Sequence, residues 1–246
     1  VIRIDHFRGF SEYWAVPYGE KTAKNGRWMK GPGMDLLGPV TGWFGGISFI
    51  AEDLGTPTQE LRQLLKASGW PGMKVLEFAF DSSEESSFLP HSYESNCICY
   101  TGTHDNAPLK EWLEDAKPED VWYAFDYLGL SMPRERVSAE ASGQTARMDV
   151  KTDKGRKTGK KTTAPAVHLS DQEKHDFIWG VIRDGQKSVA DLFIVQMQDY
   201  LELGKGNRMN SPSVASGNWS WRILKGAASE ELAGRIRHIT KLYGRG

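Results

Sequence analysis

Cysteine, charge imbalance and long apolar runs are what this chain of 246 residues has little of. Its two cysteines, Cys97 and Cys99, lie two apart in an apparent strand. They point to one face and cannot bridge without distortion. With no disulfide framework, a reducing compartment and a cytoplasmic location are expected. No apolar run approaches the roughly 20 residues of a membrane span, and no charged-then-apolar leader opens the chain. Lys and Arg total 31 against 32 Asp and Glu, a net charge of -1. Nothing in that balance draws the chain to nucleic acid or to an anionic membrane. A Cys/His metal cluster is missing, which argues against metal-assisted hydrolysis. So are a G-x-S-x-G elbow, a G-x-G-x-x-G fingerprint and a P-loop.

The chain also lacks an initiator Met, and residue 1 already lies in an apolar strand. The expectation is a fragment whose upstream part is missing, poorly active when isolated.

What is present is ordinary globular material, 39% hydrophobic and 26% charged, enough for a sizeable core. Nine Trp, eight Tyr and ten Phe suit the flat faces of a sugar cleft, and equally an ordinary core. Apolar β-branched stretches alternate with helical patterns along the chain. Val1–Ile4 reads as a buried strand, followed by a long loop over 11–33 and a helix near 34–44. Gly45–Ala51 is a second strand. Thr56-Pro57-Thr58-Gln59 reads as a helix start capped by Thr56, and Gly69 as its stop. Lys74–Asp81 and Asn96–Asn106 are a third and fourth strand, and Leu192–Val195 a fifth. Helices are expected near 108–115, 118–130, from Ser170-Asp171-Gln172-Glu173 to about Arg183, and over 229–243.

Strand–helix alternation favours parallel strands with crossover helices. The expected fold is α/β, the C-terminal part of a (β/α)8 TIM barrel with about five of its strands. A doubly wound sheet is the runner-up. One catalytic unit spans 1–246. Within it, 138–166 is rich in Lys, Thr, Gly and Ser and reads as a flexible basic insertion, either solvated or an arm for an anionic partner.

In such barrels the working groups stand at the carboxyl ends of strands. Asp5, Glu52, Asp81 and Asp105 fall there in this reading. Paired carboxylates suit glycosidic bond cleavage, one attacking the anomeric carbon and one protonating the leaving oxygen. Asp5, between Arg3 and Arg8, should stay ionised. It suits a nucleophile, or a structural ion pair at a strand end. Glu52 follows Ile47–Ala51, and partial burial would favour its proton-donating form. Asp105 beside His104 could hold sugar hydroxyls. Trp28, in Gly26-Arg27-Trp28, stands on a cleft wall or anchors a surface loop.

Arg3-Ile4-Asp5-His6-Phe7-Arg8-Gly9, Ala51-Glu52-Asp53-Leu54-Gly55, Pro71-Gly72-Met73-Lys74-Val75-Leu76 and Tyr100-Thr101-Gly102-Thr103-His104-Asp105-Asn106 resemble the successive motifs of the 4-alpha-glucanotransferases of glycoside hydrolase family 77. Leu89-Pro90-His91, Arg208-Met209-Asn210 and Gly217-Asn218-Trp219 extend the resemblance over nearly all the chain except 138–166. The resemblance implies that Asp5 is the nucleophile, Glu52 the acid/base and Asp105 the transition-state stabiliser. It further implies that Arg3 orients Asp5 and that His104 binds the sugar in the first donor position. Asp53, Asn106 and Trp28 are further substrate-binding positions. The implied partners are maltooligosaccharides and starch- or glycogen-derived glucans, with glucose as an acceptor, and the resemblance implies no metal or organic cofactor. A hydrolase of a related barrel and an inactive glucan-binding fragment are the alternatives. Ala107-Pro108 stands where the family usually has a polar pair.

Overall fold

The structure is a computed structural model that describes residues 1–55, 58–131 and 167–246. The basic insertion expected over 138–166, and Thr56 and Pro57, lie outside the described residues. The described fold is mixed α/β and divides into two compact units.

The first unit comprises Val1–Lys74, Tyr93–Cys99 and Val189–Phe193. Strand β1 (Ile2–Ile4) pairs in parallel with β4 (Phe49–Ala51), with Ile4 opposite Ala51. All three β4 residues are buried, as expected for a strand covered on both faces. β1 is not buried as the sequence suggested: Ile2 is exposed and Ile4 partly so. The reason is that β1 pairs only with β4 among the described residues.

The long loop expected over 11–33 is more ordered than that reading. After a single turn of helix, α1 (Arg8–Ser11), the chain forms an antiparallel pair, β2 (Glu12–Ala15) and β3 (Arg27–Lys30). Trp14 and Trp28 are directly opposite, with rings 5.5 Å apart in an edge-to-face contact. Cross-strand aromatic pairs of this kind hold short strands together.

Helices α2 (Met34–Trp43) and α3 (Gln59–Ser68) cover the β1–β4 pair. The cap of α3 is Thr58, whose hydroxyl accepts the Leu61 N–H. The helix begins at Gln59, later than the Thr-Pro signal implied. Gly69 ends α3 in the left-handed region at φ 68°, a conformation glycine adopts without a Cβ penalty. Phe7, Leu37, Phe49, Ala51, Leu61, Leu64 and Trp70 form the core, with Phe49 stacked on Trp70 at 4.6 Å.

β5 (Gly72–Val75), β6 (Cys97–Tyr100) and β7 (Leu192–Ile194) form a three-stranded sheet in that order, most of its residues in the first unit. The expected third strand, Lys74–Asp81, is cut short. The chain leaves β5 at Val75 and coils into a 3₁₀ turn, Leu76–Phe78. Asp81 consequently does not end a strand. It sits in a loop, where its carboxylate accepts the Ser83 N–H and hydroxyl.

The second unit comprises Val75–Ser92, Tyr100–Ser188 and Ile194–Gly246. Its helices are α4 (Leu109–Asp115), α5 (Pro118–Tyr127), α6 (Asp171–Lys187), a short α7 (Met197–Tyr200) and α8 (Glu230–Leu242). The capping box read from Ser170 and Glu173 is present. The helix it starts runs past Arg183 to Lys187. Phe177, Ile178, Val181 and Ile182 of α6 are fully buried. Phe177 stacks between Trp112 of α4, at 5.5 Å, and Phe125 of α5, at 5.6 Å. Burying one such side chain is worth about 2–3 kcal/mol.

Candidate active site

Two clusters carry the side chains singled out in the sequence, one in each unit. In the first unit, Asp5 and Glu52 are the residues that follow the paired positions Ile4 and Ala51. The ladder continues one step beyond the strands: Glu52 N–H donates to the Ile4 carbonyl and Phe7 N–H to the Glu52 carbonyl, both at 2.9 Å. The two acids therefore leave neighbouring parallel strands side by side. Arg3 bonds the Asp5 carboxylate. Glu52 is held differently, by backbone. One of its oxygens accepts the His6 N–H at 2.7 Å, the other the Leu54 N–H at 3.0 Å. His6 reaches this position in the left-handed region, at φ 48°, a backbone state that costs a non-glycine residue roughly 1–2 kcal/mol.

Arg8 does not bracket Asp5. Its guanidinium bonds Glu12 at 2.6 Å and lies 4.8 Å from the centre of the exposed Trp28 ring. Trp28 is thus fixed by a cation on one side and Trp14 on another. Asp53 is engaged elsewhere. Its carboxylate accepts the Met73 N–H at 2.7 Å and lies against Gly72 at the start of β5. Burial favours its neutral form, an effect partly offset by the Met73 hydrogen bond. This is the geometry of a side chain that seats a strand.

In the second unit, Asp105 lies beyond the end of β6, in a turn. Asn106 N–H donates to the Thr103 carbonyl at 3.1 Å. The buried Asn106 side-chain oxygen accepts the Thr103 N–H and hydroxyl at 2.9 and 2.8 Å. Its amide is therefore a fixture of the turn, not a free group. At the top of that turn, Asp105 accepts a 2.5 Å bond from Asn210, and His104 Nε2 stands 3.4 Å from its other oxygen. The Asn210 N–H in turn donates to the His104 carbonyl at 3.0 Å. The exposed Trp219 ring lies 5.0 Å from the His104 ring. Trp219 is itself at φ 61°, the kind of backbone state that collects at functional sites.

The candidates named from sequence did not include Asn210 and Trp219. Both belong to short motifs that accompany the main ones, but neither ends a strand. Glu77 falls inside the strand expected over Lys74–Asp81, whereas it sits in the 3₁₀ turn with its Oε2 buried and unpartnered. Burial and the neighbouring Asp199 carboxylate push it up to about 8. Among the described residues, no group of three or more His, Cys, Asp and Glu side chains is placed to share a metal ion. No helix among them is long and apolar enough to cross a membrane.

The fold and these clusters define a class of protein: a mixed α/β chain that presents acids just past the carboxyl ends of its strands, with exposed indoles nearby. More particularly, the chain belongs to the 4-alpha-glucanotransferase family of glycoside hydrolases, whose family profile matches residues 1–227. It is 40% identical over 246 residues to a 4-alpha-glucanotransferase of Clostridium butyricum, covering 100% of this chain and 42% of that protein. It is 38% identical over 243 residues to that of Thermus thermophilus, covering 98% and 41% respectively. Among solved structures, the amylomaltase of Streptococcus agalactiae in complex with acarbose superposes with a TM-score of 0.76 at 32% identity, over 99% of this chain and 41% of that one. The chain spans about two fifths of the length of these relatives.

Proposed function

We propose that the protein is a retaining 4-alpha-glucanotransferase, and that its β1, β4, β5, β6 and β7 strands are a share of a (β/α)8 barrel. The observation that carries this reading is the side-by-side exit of Asp5 and Glu52 from neighbouring parallel strands. Such strands lie about 4.8 Å apart, close to the roughly 5 Å that separates the two carboxyls of a retaining enzyme.

In the proposed mechanism an Asp5 oxygen attacks C1 of the donor sugar as its bond to the glycosidic oxygen breaks. Glu52 gives its proton to the leaving oxygen. The glucosyl–Asp5 ester is then opened by the 4-hydroxyl of an acceptor, whose proton passes to Glu52. Arg3 holds and aims the Asp5 carboxylate. Asp105, oriented by Asn210, stabilises the positive charge that develops on the ring, and His104 bonds a hydroxyl of the first donor sugar. Trp28 offers a flat face for a sugar ring. Asn106 and Asp53 serve by holding backbone. No step calls for a metal or an organic cofactor.

Maltooligosaccharides and starch- or glycogen-derived glucans are the proposed donors, and glucose or another glucan the acceptor. The acarbose bound by the Streptococcus agalactiae amylomaltase supports this substrate class. The unbridged Cys97 and Cys99 support a cytoplasmic setting. Incubation with maltotriose tests the proposal. Glucose should appear together with maltopentaose and longer products. Steady release of glucose and maltose without longer chains would make the protein a hydrolase instead.

A further inference from the structure

In the second unit, each residue of Arg208-Met209-Asn210 is tied to a different group. Asn210 bonds the Asp105 carboxylate through its side chain and the His104 carbonyl through its N–H. The Met209 carbonyl accepts the Trp219 N–H at 2.7 Å, and the Trp219 ring lies beside that of His104. Arg208 has no part in the mechanism above. Its Nε donates to Glu111 Oε1 at 3.0 Å, and Glu111 is only 8% exposed. Glu111 stands in α4, which begins four residues after Asp105. The two stretches are therefore joined twice by side chains, residue 105 to residue 210 and residue 111 to residue 208.

We propose that Arg208 is a positioning residue: its bond to Glu111 moors the motif to α4, so that Asn210 is held against Asp105 and Met209 holds Trp219 beside His104. The inference rests on the reading of Asp105 as the transition-state stabiliser. The planar guanidinium donates from a fixed fork and loses little freedom in doing so. Glu111 Oε1 takes that bond, while its Oε2 is buried with no partner. Withdrawing Arg208 would leave a buried acid without its cation, which makes the join costly to open. Lys205, in the same loop, also reaches α4, at 2.9 Å from Asp115 and 3.7 Å from Glu114. Its side chain is 58% exposed against 32% for Arg208, and exposed pairs hold weakly. Asn207 bonds Gln198 and Trp221, neither of which belongs to α4 or to the Asp105 turn. Those bonds shape the loop without setting its place against Asp105.

The test combines Arg208→Gln, Asn210→Ala and Lys205→Ala in maltotriose disproportionation, with thermal unfolding alongside. Arg208→Gln loosens Asn210 and should lower kcat about 10-fold, with KM within about 2-fold of the parent. Asn210→Ala removes the aimed group itself. Adding Arg208→Gln to it should lower kcat no further, because residues that act through one group are not additive. Arg208→Lys should recover part of the lost kcat, and Lys205→Ala should keep the parent kcat and KM. Should Arg208→Gln fail to fold, the double variant Arg208→Gln/Glu111→Gln leaves no buried acid unpaired and should show the same loss of kcat. Independently of activity, the Asn210 side-chain amide resonances should move in Arg208→Gln and stay in place in Lys205→Ala. The positioning role is overturned if a folded Arg208 variant keeps the parent kcat, if its loss adds in full to that of Asn210→Ala, or if Lys205→Ala costs as much. A parent kcat in Asn210→Ala would instead overturn the reading of Asp105 and its partner, and the resonances would still report whether Arg208 holds Asn210.

Discussion

Replacing Asp199 by Asn should flatten the dependence of stability on pH. Asp199 is 1% exposed. One oxygen accepts the Thr101 hydroxyl at 2.6 Å, the other the N–H of Leu109 at 2.7 Å. Leu109 is the first residue of α4, whose N-cap, Pro108, offers no side-chain bond. Asp199 therefore supplies the missing cap from a distant part of the chain. Burial nevertheless outweighs these bonds and raises its titration from 3.8 to about 6. A raised acid binds its proton more tightly folded than unfolded. Its stabilising contribution is complete below pH 3.8 and is lost as pH rises through about 6. A shift of this size corresponds to about 3 kcal/mol. Asparagine cannot ionise, so the variant should escape that loss. It presents an NH2 where an oxygen was, and should cost about 1 kcal/mol at acid pH for one mismatched hydrogen bond. Urea unfolding of both proteins between about pH 4 and about pH 7 should then show the curves crossing, with the variant ahead by about 2 kcal/mol at neutrality. A stability difference that stays constant over that range would refute the argument that burial, not hydrogen bonding, governs this carboxylate.

Other perturbations probe the rest of the molecule. Gly72→Ala places a Cβ 2.7 Å from one Asp53 oxygen and should break the Asp53–Met73 bond, costing about 2–3 kcal/mol. Thermal unfolding should register a Tm lower by about 4–12 °C; an unchanged Tm would mean that Asp53 does not seat β5. Asn210→Ala removes the donor that orients Asp105. A bond to a charged group worth about 1.5–3 kcal/mol in the transition state lowers kcat about 10–100-fold. The maltotriose assay reads this directly, and an equal rise in KM with kcat intact would move Asn210 to ground-state binding.

The parts of the fold legible in the sequence are those governed by neighbours in the chain. Ser170 and Glu173 form their capping box, and Gly69 ends α3, because both depend on residues within one helical turn. Asp5 and Glu52 could be placed at strand ends because each apolar run stops at a charged residue. Thr58 was missed because Thr56 offers the same chemistry two residues earlier, and only the chain path distinguishes them. Leu76, Phe78 and Phe80 alternate with polar or small residues as a strand would. A tertiary bond from the Glu77 N–H to the Thr101 carbonyl instead turns that stretch into 3₁₀ geometry. Asn210 meets Asp105 across a separation of 105 residues, and no local pattern announces such a pairing.

The way Glu52 is held has a bearing on how the protein can vary. Both of its oxygens are bound by main-chain N–H groups, those of His6 and Leu54. Every amino acid but proline carries that group. The aim of the acid is therefore insulated from most mutations at the two positions that secure it. Drift at residue 54 can proceed while the acid holds its bearing unless it brings proline, which has no N–H to donate; at residue 6 the left-handed backbone also disfavours β-branched side chains.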